Sequence, residues 1–269
     1  MLYGPDGRIL PPRERDDAPR VDVLARASAR RPGVGMQRRN GCRGIGGRVE
    51  IPFPTLSNLV GRYRADLGIT LVGGDVDAWA DQSGAGNHLS APAAGARPLY
   101  VSSGFNGTGY PYLEFDGTAE RLTRAAMAWG GATTAYTYAF ILQIVTASGT
   151  DILGQYNAAF PYFPCVADGK QSMNDNGAVS TTTSDIRTPE LLVMTKGGGT
   201  QRVYIGETQE DSDANATAGE ADGGSISIGA QSSGANFTNV RIAEIVLQRS
   251  SITAAERSAL YAYARRYAV

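Results

Sequence analysis

Between Val76 and Gly117 three short strand-like pieces are cut apart by turn residues. The pieces run from Val76 to Leu89 with Trp79 inside, from Arg97 to Val101, and from Pro111 to Gly117. Gly84, Gly86 and Gly117 stand where a turn needs positive φ, and Asp81, Ser83 and Asn87 are residue types that bond to nearby backbone amides. The same pattern continues downstream. Tyr136–Val145 is an almost unbroken apolar and β-branched run, which predicts a central strand. Asp151–Gln155, Leu191–Thr195, Arg202–Ile205, Ser225–Gly229 and Val240–Gln248 extend the series, with Gly, Asn and Asp clusters between them. Strands do not alternate with long helices, so a parallel α/β sheet is excluded and an antiparallel all-β fold is expected.

One helix is legible, at the end. Thr253-Ala-Ala-Glu256 has the form of a capping box. Leu260, Tyr263, Ala264 and Tyr267 follow on one face, with Arg257, Arg265 and Arg266 expected to be more exposed. The helix is expected to pack across a sheet edge or the end of the sandwich. Residues 1–50 differ in kind: prolines and glycines interrupt them, and eleven arginines against six acidic residues give a net charge of +5. Residues 51–269 carry a net charge of −6. The expected organisation is an extended basic arm over 1–50, a sandwich domain over 51–269, and no signal peptide or membrane span. Cys42 and Cys165 are too few and too far apart for a disulfide framework or a zinc site.

Four pieces in order resemble the concanavalin A-like lectin/glucanase superfamily, in its laminin-G-like branch. They are Leu59–Asp66, Trp79–His88 with its D-x-S-G-x-G-N loop, Tyr112–Gly117, and Ile242–Leu247 followed by Thr253–Arg257. The resemblance implies an antiparallel jelly-roll β-sandwich spanning roughly residues 55–269. A basic arm ahead of such a domain is similar to the layout of phage virion components. That analogy implies a capsid decoration or tail fibre protein in the virion, with Arg26, Arg30, Arg31, Arg38, Arg39 and Arg43 anchoring it to other virion proteins.

Candidate chemistry is sparse. Glu114 and Asp116 fall on one strand face as catalytic glycosidase acids do, but Thr118 and Ala119 stand where a third acid is required. Asp81 and Asn87 offer oxygen ligands for Ca²⁺, although turn bonding accounts for them better; no other cofactor is indicated. His88, the only histidine, has no nucleophile elbow and is expected on the surface or packed in its loop. Asp211–Asn215 reads as a solvated loop. Tyr156, Tyr162, Asn174, Asp175 and Asn176 combine rings and amides of the kind that bind sugars, if the loops bearing them converge. The expected function is non-enzymatic: a virion structural protein displaying a lectin-like domain toward host-surface glycans. A free bacterial carbohydrate-binding module is the alternative, with a glycoside hydrolase behind it.

Overall fold

The computed structural model describes residues 51–129, 134–146, 150–156, 163–166, 170–175, 178–182, 187–214, 224–231 and 233–269. The arm therefore lies outside the described residues. In chain order the strands are β1 (Leu59–Arg64), β2 (Ile69–Val72), β3 (Asp75–Trp79), β4 (Leu89–Ser90), β5 (Leu99–Val101), β6 (Tyr112–Asp116), β7 (Leu122–Arg124), β8 (Tyr136–Thr146) and β9 (Thr150–Tyr156). They continue as β10 (Phe163–Val166), β11 (Lys170–Asp175), β12 (Ala178–Thr181), β13 (Glu190–Gly197), β14 (Thr200–Ile205), β15 (Thr208–Asp213), β16 (Ser225–Ile228) and β17 (Asn239–Gln248). Helix α1 (Ala254–Ala264) follows. No helix among the described residues is long and apolar enough to cross a membrane.

All named pairings are antiparallel. One layer runs β17–β8–β13–β14–β15, with β1 and β6 sharing the other edge of β17. The facing layer runs β7–β16–β9–β10–β11–β12. Between them lies a core of Tyr138, Phe140 and Leu142 from β8, Leu192 and Met194 from β13, and Leu122, Ile152, Ile226 and Ile228 from the opposite layer. This is the expected β-sandwich.

β8 shows why its sequence is apolar without alternation. Tyr136, Tyr138, Phe140, Leu142 and Ile144 face the inter-sheet core, whereas Ala139 and Ile141 face a second cluster with Leu191, Val193, Leu260, Tyr263 and Tyr267. A strand covered on both faces has no solvent side to make polar. The helix thus packs on the outer face of the β8–β13 layer, mid-strand, rather than on an edge or end. Its capping box forms as read: Thr253 Oγ1 accepts the Glu256 amide at 3.1 Å, and Glu256 Oε2 accepts the Thr253 amide at 2.9 Å. Burial acts to raise the Glu256 carboxyl, but hydrogen bonds from Ser57 and Thr253 prevail and hold it at about 2.

A bulge in β17 between Ile242 and Glu244 resets which side chains point inward. Val240 and Ile242 face the inter-sheet core before it, Ile245 and Leu247 after it, and Glu244 is turned under the helix. The Glu244 side chain is fully buried. Its Oε1 accepts Arg62 Nε at 2.9 Å, and its Oε2 accepts the hydroxyls of Tyr263 at 2.7 Å and Tyr267 at 2.8 Å. Arg266 approaches Oε2 at 3.6 Å with only 6% of its side chain exposed, so it is a buried partner and not a surface charge. Arg62 lies over the Phe53 ring and Arg266 over Tyr263, at 3.5 and 4.2 Å from the ring centres.

Candidate functional site

The Asp81 loop is the first place to look for chemistry. Trp79 is completely buried and its indole donates to the Arg64 carbonyl at 2.8 Å. Asp81 Oδ1 accepts the amides of Arg62 at 2.9 Å and Ser83 at 2.7 Å; Oδ2 accepts the Ser83 hydroxyl at 2.8 Å and the Asn87 amide at 3.0 Å. Asn87, also fully buried, donates to the carbonyls of Val60 and Ala128 at 2.8 and 2.9 Å and accepts the Ala128 amide at 2.8 Å. Gly84 and Gly86 have φ of 89° and 75°. The loop is a staple between β1, β3 and the segment before Trp129, and Asp81 and Asn87 spend their polar atoms on it. Among the described residues no group of three or more His, Cys, Asp or Glu side chains is placed to hold a metal ion. His88 is exposed, and its Nδ1 accepts the Asp81 amide at 3.0 Å.

The acids on β6 have structural partners too. Glu114 Oε2 accepts Arg241 Nε at 2.8 Å, and Asp116 Oδ1 accepts the Thr118 amide at 2.7 Å across the Asp-Gly turn. Glu120, which sequence reading passed over, accepts the Asp116 amide at 2.7 Å. Burial, with the nearby charges of Asp116, Asp75 and Glu114, pushes its carboxyl up to about 7.

Asp151, 2% exposed at the start of β9, is pushed up to about 6 by burial, against a weak stabilising bond from Asn236. Its native pKa lies above the unfolded value, so the proton favours the fold. The penalty for ionisation is absent below about pH 4, grows as pH rises to about 6, and is complete above that. Asp151→Asn should therefore gain about 2 kcal/mol over the parent at about pH 8 and almost nothing at about pH 4. Urea midpoints of both proteins at the two pH values check this, and an unchanged difference refutes it.

A different arrangement appears on the outer face of the second layer. In the β7–β16 pair Thr123 stands opposite Ser227 and Leu122 opposite Ile228. Leu122, Ile226 and Ile228 enter the core, so Thr123, Ser225 and Ser227 take the alternate face. With Pro92, Arg121 and Arg124 they line a groove of about 210 Å³. Arg124 Nε donates to the Ala126 carbonyl at 3.0 Å. The Arg121 guanidinium lies against Gly234, where φ is 77° and a β-carbon would overlap Nη1. Ser227 is 1% exposed. Its Oγ and Arg121 Nη1 are buried with no hydrogen-bond partner among the described residues. Leaving such groups unpaired costs about 1–3 kcal/mol each. Neither Arg121 nor Arg124 takes part in an ion pair among the described residues; the guanidiniums of Arg62, Arg64, Arg97 and Arg241 do.

Three of the residues proposed from sequence for sugar contact are placed in strands. Tyr156 is the last residue of β9 and stands opposite Ser225, a residue of the groove. Asn174 and Asp175 are in β11, opposite Val179 and Ala178 of β12. Tyr162 and Asn176 lie outside the described residues, as do all the arm arginines. Asp211 and Asp213, expected in a solvated loop, are in β15, where Asp211 Oδ2 accepts the Thr181 amide at 2.9 Å. The groove residues had no sequence signal, because only the β7–β16 pairing joins them.

Comparison with known proteins agrees with this geometry at the level of fold. Neither a protein-family model nor a curated protein sequence matches the chain. Solved structures do. The binding domain of Paraclostridial Mosquitocidal Protein 1 aligns with a TM-score of 0.57 at 12% identity, covering 76% of this chain and 52% of that one. Domain 4 of AbnA, a GH43 extracellular arabinanase from Geobacillus stearothermophilus, solved in complex with arabinotriose, aligns at 0.55 and 13% identity over 76% of this chain and 98% of that one. The likeness is one of fold. Trypanosoma rangeli sialidase aligns at 0.53 and 16% identity, over 78% of this chain but 33% of its own. The chain spans about half the length of the first of these matches.

Proposed function

We propose that residues 51–269 form a non-catalytic carbohydrate-binding sandwich and that the β7–β16 groove is its sugar site. The observation that carries this reading is a groove of about 210 Å³ on the outer face of the β7–β16 pair, lined by the hydroxyl-bearing Thr123, Ser225 and Ser227 and by Arg121. Sugar hydroxyls both donate and accept, and they suit a lining of hydroxyls beside a guanidinium. Support comes also from the fold shared with the binding domain of Paraclostridial Mosquitocidal Protein 1 and with domain 4 of AbnA, solved in complex with arabinotriose. The acids of β6 are engaged by Arg241 and Thr118, which argues against their serving as a hydrolytic pair.

The finer reading places the domain on a phage particle, held to other virion proteins by the arm. It rests on the arm's charge of +5 and on the sequence resemblance. One comparison tests both parts. The full chain and a chain beginning at Ile51 should bind the same glycans on an array, and only the full chain should enter particles. Absence of glycan binding refutes the first part; equal incorporation refutes the second. Release of reducing sugar would instead favour the hydrolase, with Glu120→Gln the variant to examine.

A further inference from the structure

Six large apolar side chains are exposed among the described residues, and four of them, Leu67, Leu71, Val72 and Leu99, gather around the β2–β3 hairpin. We infer that β2 is a self-association edge: two copies of the chain pair their β2 strands antiparallel across a two-fold axis. This contact stands apart from the sugar groove, which lies on the β7–β16 pair.

Among the described residues β2 has a ladder with β3 alone, so its other edge presents backbone N–H and C=O groups to water. Proteins blunt such edges with charged residues, with proline or with a covering segment, because an open edge is a template for another strand. From Leu67 to Gly74 the chain reads Leu-Gly-Ile-Thr-Leu-Val-Gly-Gly, with neither a charge nor a proline. Thr70, Leu71 and Val72 are all exposed. The ladder skips Asp77, so its irregularity belongs to β3 and the free edge of β2 stays regular.

The pattern of the two faces says what covers this edge. Val72 stands opposite Asp75 and Asp75 opposite Leu99, so Val72 and Leu99 share one face. Ile69 and Leu71 take the other face, where with Leu67, Asp66 and Tyr100 they line a hollow of about 230 Å³. A strand added here must therefore be uncharged and carry apolar side chains on both faces. β2 itself meets that description. A two-fold axis normal to the sheet keeps like faces together, so in the register centred on Leu71 that residue stands opposite its own copy, beside the hollow. Val72 then stands opposite Thr70 of the second copy. Charge points the same way. Residues 51–269 have a net charge of −6, so two copies repel, and this uncharged strip is where they meet without opposing like charges. Asp66, the charged residue of the hollow, is already paired with Arg64 at 2.6 Å. Pairing consumes the free edge of β2 in both copies, which closes the assembly at two.

The test is sedimentation velocity of the full chain over a range of concentrations. A reversible monomer–dimer equilibrium is expected, half-formed at roughly 0.1 mM because the contact is smaller than a standard interface. Leu71→Lys and Leu71→Glu should each weaken the dimer at least about 10-fold, since each sets like charges across the axis. An equimolar mixture of the two variants should restore it, because opposite charges then face one another. Amide exchange over Ile69–Val72 should slow as the concentration of the parent chain rises. Leu71 is exposed, so both variants should unfold at the parent's temperature; Val72→Lys takes their place if either does not fold. A chain that stays monomeric at every concentration overturns the inference and leaves the edge to a strand of another protein. A dimer untouched by the Leu71 variants overturns it, as does a mixture that stays monomeric. Association that runs past two copies overturns the closed pairing.

Discussion

Glu244→Ala is expected to lower the unfolding free energy by about 3–5 kcal/mol, the largest single effect in the molecule. The carboxylate is fully buried and its two oxygens serve Arg62, Tyr263 and Tyr267, with Arg266 beside them. Truncation leaves two guanidiniums and two phenols facing one another without the anion that holds them. The phenols show how strongly the site is tuned to that anion, since burial and the Glu244 charge push both Tyr263 and Tyr267 well above the ordinary phenol range. Glu244→Gln keeps an acceptor and should cost less than the alanine variant. Denaturant unfolding of both variants checks the order. A loss below about 1 kcal/mol for alanine would show the pair to be replaceable by water.

Asn87→Ala should cost about 3 kcal/mol or more, because three hydrogen bonds to Val60 and Ala128 vanish at a site with no exposure. The effect should be local as well as global. The Tyr63 hydroxyl donates to the Asn87 carbonyl at 2.5 Å, so the loop's release should be seen first in faster amide exchange at Asn87 and Ala128. Protection unchanged at both amides would refute the staple.

What sequence could reveal followed from where apolar side chains had to go. β8 and β13 read as strands because both faces are buried, and α1 read as a helix because its cap and its apolar stripe agree. Among the strands that escaped notice, Lys170–Asp175 and Thr208–Asp213 are polar and hold their place by ladder bonds rather than by an apolar pattern. Phe163–Val166 contains Pro164, which cannot donate to a ladder, and the segment carries no alternating pattern. The Arg266 side chain was misplaced because a positive charge on a helix reads as solvent-facing until its buried anion, on another element, is known. The Asp81–Asn87 turn was legible where its bonds are local, but the bonds of Asn87 to Val60 and Ala128 were not, because those partners are remote in sequence. The groove was not, since Arg121 and Ser227 become neighbours only through pairing of distant strands.

The seating of α1 on the β8–β13 layer has a consequence for valency. A sandwich has two outer sheet faces, and here the helix together with Phe105 and Tyr112 occupies one of them. The groove opens on the other layer, so under the function proposed above each copy offers one sugar-reading face and grips one polymer strand at a time. Firm attachment to a glycan-coated surface then depends on how many copies are held in a common array and at what spacing, and less on the affinity of each.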